Sequence, residues 1–415
     1  MNPVRKKFSN GVKIAILGFG LEGKSALKFL KKKYQKADFE VRDIKMQGKN
    51  YLKGLENFDM IVRSPGIPYL RSEIQKAKKQ GVKITSVTNL FFESASWRSR
   101  GKIIGITGTK GKGTIATLLY KILKAAEKNV CLAGNIGLPM LNILPKLKKN
   151  SITILELSSF QLQDMDKSPE IAIITDISLD HQDYHKSFKE YLDAKTNILR
   201  YQKSRDKVFY FADNKYAKLI AKKSRGEKIA VLPNPNLILK ILGFHNLKNV
   251  SMAAAAAREL KVPERIIKRI TKNFKGLPHR LEFVRIIDGV NYYNDSASTN
   301  PAATAAALAA FSEPKILIAG GAGKNLSYKP LAKAVKKSNM RAVILFGRDK
   351  YKIRQSINAK IPVNLVRNLK SAVISAYKSS LAGDIVLFSP GAASFDMFKN
   401  AKERGKYFTK LIKSL

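Results

Sequence analysis

The sequence has few of the features that mark secreted or membrane proteins. It contains a single cysteine, Cys131, which excludes an internal disulfide framework and is typical of a reducing compartment. No apolar run approaches the roughly 20 residues that a membrane-spanning helix needs. The basic and apolar N-terminal segment is followed at once by Glu22 and Lys24 and lacks a small-residue cleavage site, so we interpret it as a first β-strand. We therefore expect a cytoplasmic protein without a transmembrane segment.

Acidic residues are also scarce, with 31 Asp and Glu against 77 Lys and Arg and a net charge of +46. Such a charge raises the possibility of a nucleic-acid or acidic-lipid partner. However, the lysines are spread over nearly every predicted helix, and no nucleic-acid motif with interleaved aromatic residues is present. We interpret them as solvated helix faces and expect no nucleic-acid partner, although the positive field would attract anionic substrates such as nucleotides.

The order of apolar and amphipathic segments predicts an α/β protein. At 415 residues the chain suits two or three domains. Strand-like apolar runs alternate with helical runs almost throughout, which favours parallel sheets, and a hairpin is predicted at Asp288-Gly289. Boundaries near Trp97 and Leu277 divide the chain into residues 1–96, 97–277 and 278–415.

The segment Gly101 to Thr114, GKIIGITGTKGKGT, carries an apolar strand directly into a glycine-rich turn and a helix. Glycines allow backbone N–H groups to approach phosphate oxygens, Lys112 adds a positive charge, and the helix N-terminus faces the same anion. Gly113 stands where Ser or Thr normally follows the lysine, which leaves the hydroxyl of Thr114 for magnesium. The segment predicts a nucleoside triphosphate site, and the alternative is a glycine-rich turn with a solvated lysine.

The first block carries a second glycine motif, GFGLEG, at Gly18 to Gly23. Asp43 closes the next strand twenty residues later, as in a dinucleotide-binding unit, and Ser64 ends another strand at the same predicted sheet edge. The motif predicts a nucleotide or phosphate site. The alternative is tight packing between a helix and a strand.

Polar residues also follow the strands of the second block. Glu156 ends an apolar strand, where a buried carboxylate needs a positive partner or a metal ion such as magnesium. We expect His181 to end the next strand, with Asp180, Asp183 and His185 close to it. A helix cap with a surface histidine is the alternative.

Lys195 lies in a predicted helix between Leu192 and Leu199. Such a lysine usually buries its stem at the surface. Beside a magnesium site it could instead lose its proton and take up carbon dioxide as a carbamate, which offers oxygen ligands.

Ten segments of the chain occur in the order found in the Mur ligases of peptidoglycan synthesis. They are GTKGKGT, AGNIGLPML, LELSSFQL, DHQDYH, the downstream Lys195, GFHNLKN, GLPHRLE, YNDSASTN, AGGAGKN and SPGAASFDMFKNAKERG. This resemblance covers nearly the whole chain. It implies three domains: a Rossmann-like N-terminal UDP-binding domain, a central P-loop ATPase domain, and a Rossmann-like C-terminal domain that binds the amino acid. Within the family, the chain is most similar to members that add D-glutamate to UDP-N-acetylmuramoyl-L-alanine.

The resemblance implies that ATP phosphorylates the carboxylate of a sugar nucleotide and that an amine then attacks the acyl phosphate, after the third domain closes over the second. It implies two magnesium ions, held by Thr114, Glu156, His181 and a carbamylated Lys195. The residues that it assigns to ATP are Gly108, Thr109, Lys110, Gly111, Lys112, Gly113, Thr114, Asn246, Asn249, Arg280 and Asp295. Lys112, Glu156, His181, Lys195 and Arg280 form its catalytic set.

The same resemblance assigns residues to the two other substrates, and we expect a monomer. Leu21, Asp43, Lys45 and Ser64 would hold the uridine diphosphate, and Asn135, Ser158 and Gln161 the muramoyl part. Thr299, Lys324, Ser394 and Phe395 would bind D-glutamate, with Asp180 near its amine.

The chain departs from the pattern of these ligases in its third block. Ala297 stands where a lysine is frequent, Ala322 where an acid is common, and Ala401 where an aromatic residue is expected. The glycine at position 113 resembles the pattern of the folylpolyglutamate synthases. Those enzymes lack a UDP-binding first block. A ligase for another amino acid, such as alanine or diaminopimelate, and a basic nucleic-acid-binding NTPase are the alternative functions.

Overall fold

A computed structural model describes residues 11–94, 101–181, 184–241, 243–323, 327–357 and 360–415. These residues form two compact units. The first runs up to Ile238 and includes Phe244–Lys272, and the second comprises Asn273–Leu415 with the short segment Leu239–Gly243. The division into 1–96, 97–277 and 278–415 stays a prediction. Within the described ranges, no helix is long and apolar enough to cross a bilayer.

The first unit begins with a four-stranded parallel sheet in the order β2-β1-β3-β4. The central strands are apolar and buried, whereas β2 lies at the edge and is only partly covered. The strands are β1 (Lys13–Leu17), β2 (Asp38–Arg42), β3 (Met60–Arg63) and β4 (Lys83–Ser86), and the helices are α1 (Leu21–Lys33), α2 (Ile44–Gln47), α3 (Ser72–Lys79) and α4 (Val87–Glu93).

A six-stranded parallel sheet follows in the order β10-β9-β8-β5-β7-β6. Its strands are β5 (Lys102–Thr107), β6 (Val130–Gly134), β7 (Ile152–Glu156), β8 (Ile171–Ile174), β9 (Lys207–Phe211) and β10 (Glu227–Val231). Its helices are α5 (Lys112–Ala125), α6 (Met140–Ile143), α7 (Ser159–Leu162), α8 (Phe188–Arg200), α9 (Lys215–Ala221), α10 (Phe244–Glu259) and α11 (Glu264–Asn273). The strand order reverses at β5, so the turn after β5 lies where open parallel sheets bind ligands.

The two sheets of the first unit share one apolar core. Ile14 and Val62 of the first sheet, Phe91 of α4, and Met140 and Leu155 of the second sheet region belong to the same buried cluster. Helix α4 is buried along almost its whole length because it packs against both α6 and α7. This core fixes the carboxyl edges of the two sheets relative to each other.

The second unit contains a six-stranded sheet in the order β11-β12-β16-β13-β14-β15. All pairs are parallel except the hairpin β11–β12, whose turn residues Asp288 and Gly289 have φ of 48° and 74°. The strands are β11 (Glu282–Ile287), β12 (Val290–Asn294), β13 (Lys315–Gly320), β14 (Met340–Phe346), β15 (Val363–Leu365) and β16 (Ile385–Phe388). The helices are α12 (Pro301–Leu308), α13 (Lys329–Lys337), α14 (Lys350–Ser356), α15 (Leu369–Ser379) and α16 (Ala401–Lys413). The predicted α/β class and the hairpin are confirmed.

Candidate active site

The turn between β5 and α5 has the geometry of a phosphate loop. Gly108 has a φ of 151° and Gly111, which precedes α5, a φ of 89°, conformations that favour glycine. A Cβ at Gly108 would lie 1.8 Å from Thr175 Oγ1, so the loop tolerates no side chain there. Lys112 Nζ donates to the carbonyls of Gly108 (2.9 Å) and Thr109 (3.1 Å) and therefore lies across the loop.

Lys195 reaches the same loop from α8. Its side chain is fully buried, and Nζ donates to Gly108 O at 2.8 Å. Burial, and next the positive charge of Lys112, hold the pKa of Lys195 well below its ordinary value of 10.5. Of the two interpretations offered by the sequence, the surface lysine is wrong, because the side chain is buried against the phosphate loop. Its carbamylation stays a prediction.

Glu156 ends β7, next to β5, and its side chain is almost fully buried. Asn135 Nδ2 donates to Glu156 Oε1 at 3.3 Å, and Asn135 N donates to the Glu156 carbonyl at 2.9 Å. Glu156 also acts electrostatically on Lys195. The structure therefore brings together an acid, an amide and a lysine at the edge that carries the phosphate loop.

The prediction that His181 ends a strand is wrong, because β8 stops at Ile174. Beyond it Thr175 N still donates to Thr107 O of β5, and the chain then bonds to the phosphate loop. Thr109 N and Lys110 N both donate to Asp176 O, and Thr109 Oγ1 donates to Ser178 O at 3.0 Å. His181 follows in this segment after β8 and has a φ of 54°.

Aromatic rings surround His181 on the inner side of this segment. The His181 ring lies 4.8 Å from that of Phe160, edge to face, and Phe160 stacks on Tyr184 at 3.9 Å. On the other side, the imidazole of His181 and the carboxylate of Asp180 are 3.7 Å apart, and both are about half exposed. Asp183, predicted to lie nearby, falls outside the described residues.

His185 is buried, and both of its ring nitrogens contact side chains of neighbouring helices. Its Nε2 is 2.9 Å from Ser159 Oγ, and its Nδ1 is 3.3 Å from Glu190 Oε1. Burial lowers the pKa of His185, against the opposing effect of Glu190. The pair of contacts joins the segment after β8 to both α7 and α8.

The carboxyl edge of the first sheet collects the residues expected to hold uridine diphosphate. Asp43 accepts from Phe19 N (2.7 Å) and Lys45 N (2.9 Å), and the Phe19 bond is the largest cause of its lowered pKa. Ser64 Oγ donates to Gly18 O at 2.8 Å. Leu21 is 80 % exposed on the same rim.

Glu22 contacts Gln161, one of the predicted substrate residues, and the sequence interpretation missed it. Its Oε1 accepts from Gln161 Nε2 at 2.6 Å, and Gln161 Oε1 in turn accepts from the backbone and hydroxyl of Ser158. Burial raises the pKa of Glu22 from 4.5 to about 7. The signal in the sequence was an acid inside the glycine motif GFGLEG. Glu22 sets the direction of the Gln161 amide.

Both asparagines predicted to bind ATP belong to α10, and Asn249 lies beside the phosphate loop. Asn249 is buried, and a Cβ at Gly111 would lie 2.3 Å from its Oδ1. Asn246 lies one turn earlier on the helix and is partly buried. Lys248, which the sequence interpretation also missed, pairs with Asp176 at 2.7 Å and with Asp213 at 3.0 Å.

In the second unit, Asp295 is buried and both of its oxygens accept hydrogen bonds. Ser298 Oγ donates at 2.5 Å, Ser389 Oγ at 2.7 Å and Leu281 N at 3.2 Å. Burial raises its pKa to about 6 although these bonds favour the ionised form. Arg280 is exposed and acts electrostatically on Asp295.

The residues expected to bind D-glutamate also lie in the second unit, except that Lys324 falls outside the described residues. Ser394 is buried, Thr299 is partly buried and Phe395 is 71 % exposed. Arg404, absent from the sequence predictions, is fully buried and donates to Ser296 and to the Ala392 carbonyl.

The donors around the phosphate loop suit a magnesium ion that is shared with phosphate and water. The donors that the structure describes there do not form a site in which protein side chains alone surround a metal ion. Among the described residues there is no group of three or more His, Cys, Asp or Glu that could hold a metal ion. Magnesium is commonly held by one or two carboxylates together with phosphate and water ligands. The buried carboxylate of Glu156 beside the loop fits that role.

Comparisons with known proteins agree with this architecture. A family model for the Mur ligase middle domain matches residues 106–235, and one for the Mur ligase glutamate ligase domain matches residues 279–391. The UDP-N-acetylmuramoylalanine–D-glutamate ligase of Acetivibrio thermocellus is 35% identical over 100% of this chain and 99% of its own length. The Clostridium tetani enzyme of the same name is 35% identical over 99% of this chain and 98% of its own length.

Solved structures share the fold at low sequence identity. UDP-N-acetylmuramate-alanine ligase from Thermotoga maritima has a TM-score of 0.61 and is 18% identical, with coverage of 97% of this chain and 99% of that one. Mycobacterium tuberculosis folylpolyglutamate synthase complexed with ADP has a TM-score of 0.61 and is 14% identical, with coverage of 78% and 93%.

Proposed function

Because this chain belongs to the Mur ligase family, we propose that it is the ATP-dependent ligase that joins D-glutamate to UDP-N-acetylmuramoyl-L-alanine. Full-length similarity to D-glutamate ligases supports this choice of substrates over another amino acid. The observation that carries the chemistry is the convergence of Lys112 and Lys195 on the carbonyl of Gly108, next to Glu156.

The first step activates a carboxylate, which is a poor electrophile at neutral pH. A carboxylate oxygen of the sugar nucleotide attacks the γ-phosphorus of ATP, the bond to the β-phosphate oxygen breaks, and ADP leaves. The loop from Gly108 to Thr114 holds the phosphates with its N–H groups. Lys112 turns from the Gly108 carbonyl to the terminal phosphates and neutralises their charge.

In the second step the amine of D-glutamate, as the free base, attacks the acyl carbon, inorganic phosphate departs from the carbonyl, and the nitrogen releases a proton to water. Asp180 would lie near the amino group and hold its ammonium form by an ionic hydrogen bond before the attack. Thr299, Lys324, Ser394 and Phe395 hold the amino acid, and Arg280 contacts the transferring phosphate. Asn246, Asn249 and Asp295 bind the nucleoside.

Magnesium would neutralise the charge that builds up as one anion attacks another. Thr114 and Glu156 would hold one ion, and Glu156, His181 and a carbamylated Lys195 a second. Burial lowers the pKa of Lys195, which favours the neutral amine that carbamylation requires. Its nitrogen attacks the carbon of carbon dioxide and releases a proton, and the resulting carbamate replaces a neutral amine with an anion.

Leu21, Asp43, Lys45 and Ser64 are proposed to hold the uridine diphosphate, and Asn135, Ser158 and Gln161 the muramoyl part. We further propose a cytoplasmic monomer without a nucleic-acid partner. The decisive experiment is phosphate release by the purified protein with ATP, magnesium and UDP-N-acetylmuramoyl-L-alanine. D-glutamate, L-glutamate, L-alanine and diaminopimelate are supplied in turn. D-glutamate alone should support turnover, and equal rates with another amino acid would refute the assignment.

A further inference from the structure

Arg63 is the last residue of β3 in the first sheet, yet most of its bonds go to the second sheet region. Its side chain is fully buried, and Nη2 donates to Asp164 Oδ1 at 2.6 Å and to Phe160 O at 3.0 Å. Nη1 donates to Ile67 O at 2.7 Å and to Tyr184 Oη at 3.3 Å. With a longer bond from Nη1 to Ser64 O at 3.5 Å, the guanidinium bonds five groups that belong to three separate segments.

The segments are those that frame the proposed sites. Ile67 follows the turn Ser64–Gly66, which is proposed to hold the sugar nucleotide, and the Tyr184 hydroxyl also contacts Pro65 O at 2.9 Å. Tyr184 stacks on Phe160, which in turn packs edge to face on His181. Arg63 is therefore connected to His181 through the rings of Tyr184 and Phe160.

Stability alone gives a weak reason for a buried ion pair at this position. Removing a charge from water is expensive, and well-packed apolar residues of similar volume often replace such pairs without loss of stability. What an arginine adds is a rigid planar fork with five donors, which fixes the direction of several acceptors at once. The five bonds of Arg63 use that property.

We infer that Arg63 is a positioning residue: together with Asp164 it fixes the segment that carries His181 against the turn Ser64–Gly66. This inference rests on the proposed function, since it aligns the sugar-nucleotide carboxylate with the phosphate loop. Arg63 contacts neither reacting group directly and acts through Phe160 and Tyr184.

Two variants separate positioning from stability. Arg63→Lys keeps the charge but loses the fork. The double variant Arg63→Met, Asp164→Leu removes both charges with similar volume and should keep a melting temperature close to that of the wild type. Arg341→Lys is the matched control, because Arg341 makes a two-bond pair with Asp384 in the second unit.

We expect kcat to fall about 100-fold in both Arg63 variants, the effect of misplacing reacting groups by about 1 Å. KM for ATP should stay at the wild-type value, because contacts with Asp176 and Lys195 hold the phosphate loop independently. The control should keep wild-type kcat. A folded double variant with wild-type kcat would overturn the inference.

A second readout does not depend on activity. The imidazole resonance of His181, assigned by its loss in His181→Gln, should shift in Arg63→Lys and remain in place in Arg341→Lys, because its ring lies against Phe160. An unmoved resonance would overturn the positioning role even if the wild-type protein showed no ligase activity. Absence of D-glutamate-dependent turnover in the wild type, in contrast, refutes the proposed function alone.

Discussion

Replacing Glu22 by glutamine tests the electrostatics at the junction of the first two sheets. The carboxyl group has a pKa of about 7 in the folded protein against 4.5 as a free side chain. A rise of that size corresponds to roughly 3 kcal/mol, at 1.36 kcal/mol for each pKa unit, and partial exposure to water makes this an upper value. Glutamine keeps the acceptor for Gln161 and carries no charge.

The sign follows from proton binding. Between pH 4.5 and about 7 the folded state holds a proton that the unfolded state has lost, so the free energy of unfolding decreases as the pH rises. The protonated carboxyl makes its full contribution to the free energy of unfolding below pH 4.5, and this contribution is lost above about pH 7. Relative to the wild type, Glu22→Gln should therefore gain stability from pH 5 to pH 7 and stay level above it.

Urea unfolding of the two proteins at several pH values between about 5 and 8 measures this difference. Glu56→Gln is the control, because Glu56 lies at the surface and its pKa is lowered, chiefly by a backbone hydrogen bond. Its difference from the wild type should not vary over this range. A Glu22→Gln difference that is equally independent of pH would refute the reasoning.

Three further results are expected. Lys195→Ala should lose most ligase activity and regain part of it with added short-chain carboxylates. Lys189→Ala on the same helix is the control and should retain activity. Wild-type rates in Lys195→Ala would remove the carbamate from the mechanism. Gly111→Ala should weaken ATP binding at least about tenfold in an equilibrium titration, because the new Cβ would lie 2.3 Å from Asn249 Oδ1. Gly81→Ala is the control and should bind ATP normally. Gly81 has a φ of 91°, but a Cβ there meets no atom within 4 Å. Filter binding at moderate salt should detect no DNA or RNA complex, and tight, salt-sensitive binding would favour a nucleic-acid partner.

The parts of the site that are local in sequence could be predicted. The phosphate loop is a strand, a glycine turn and a helix in consecutive residues, so the pattern alone indicates its geometry. The apolar pattern also predicts where β3 and β7 end, and it therefore locates Ser64 and Glu156 at the edges of their sheets.

Contacts between distant segments could not be predicted in the same way. Arg63 and Asp164 are 101 residues apart, and Glu22 and Gln161 are 139 residues apart. No periodicity relates such positions, since their contact depends on how the two sheets share a core. His181 was misplaced for a related reason, because the bonds of Thr109 and Lys110 to Asp176 end the strand early.

The most direct test of the account is an ATP hydrolysis assay with each substrate omitted in turn. The purified protein is mixed with ATP, magnesium, UDP-N-acetylmuramoyl-L-alanine and D-glutamate, and phosphate and the amide product are measured together. We predict one phosphate for each amide formed, and no amide when either acceptor is left out. Phosphate release without amide formation in the complete mixture would contradict the account.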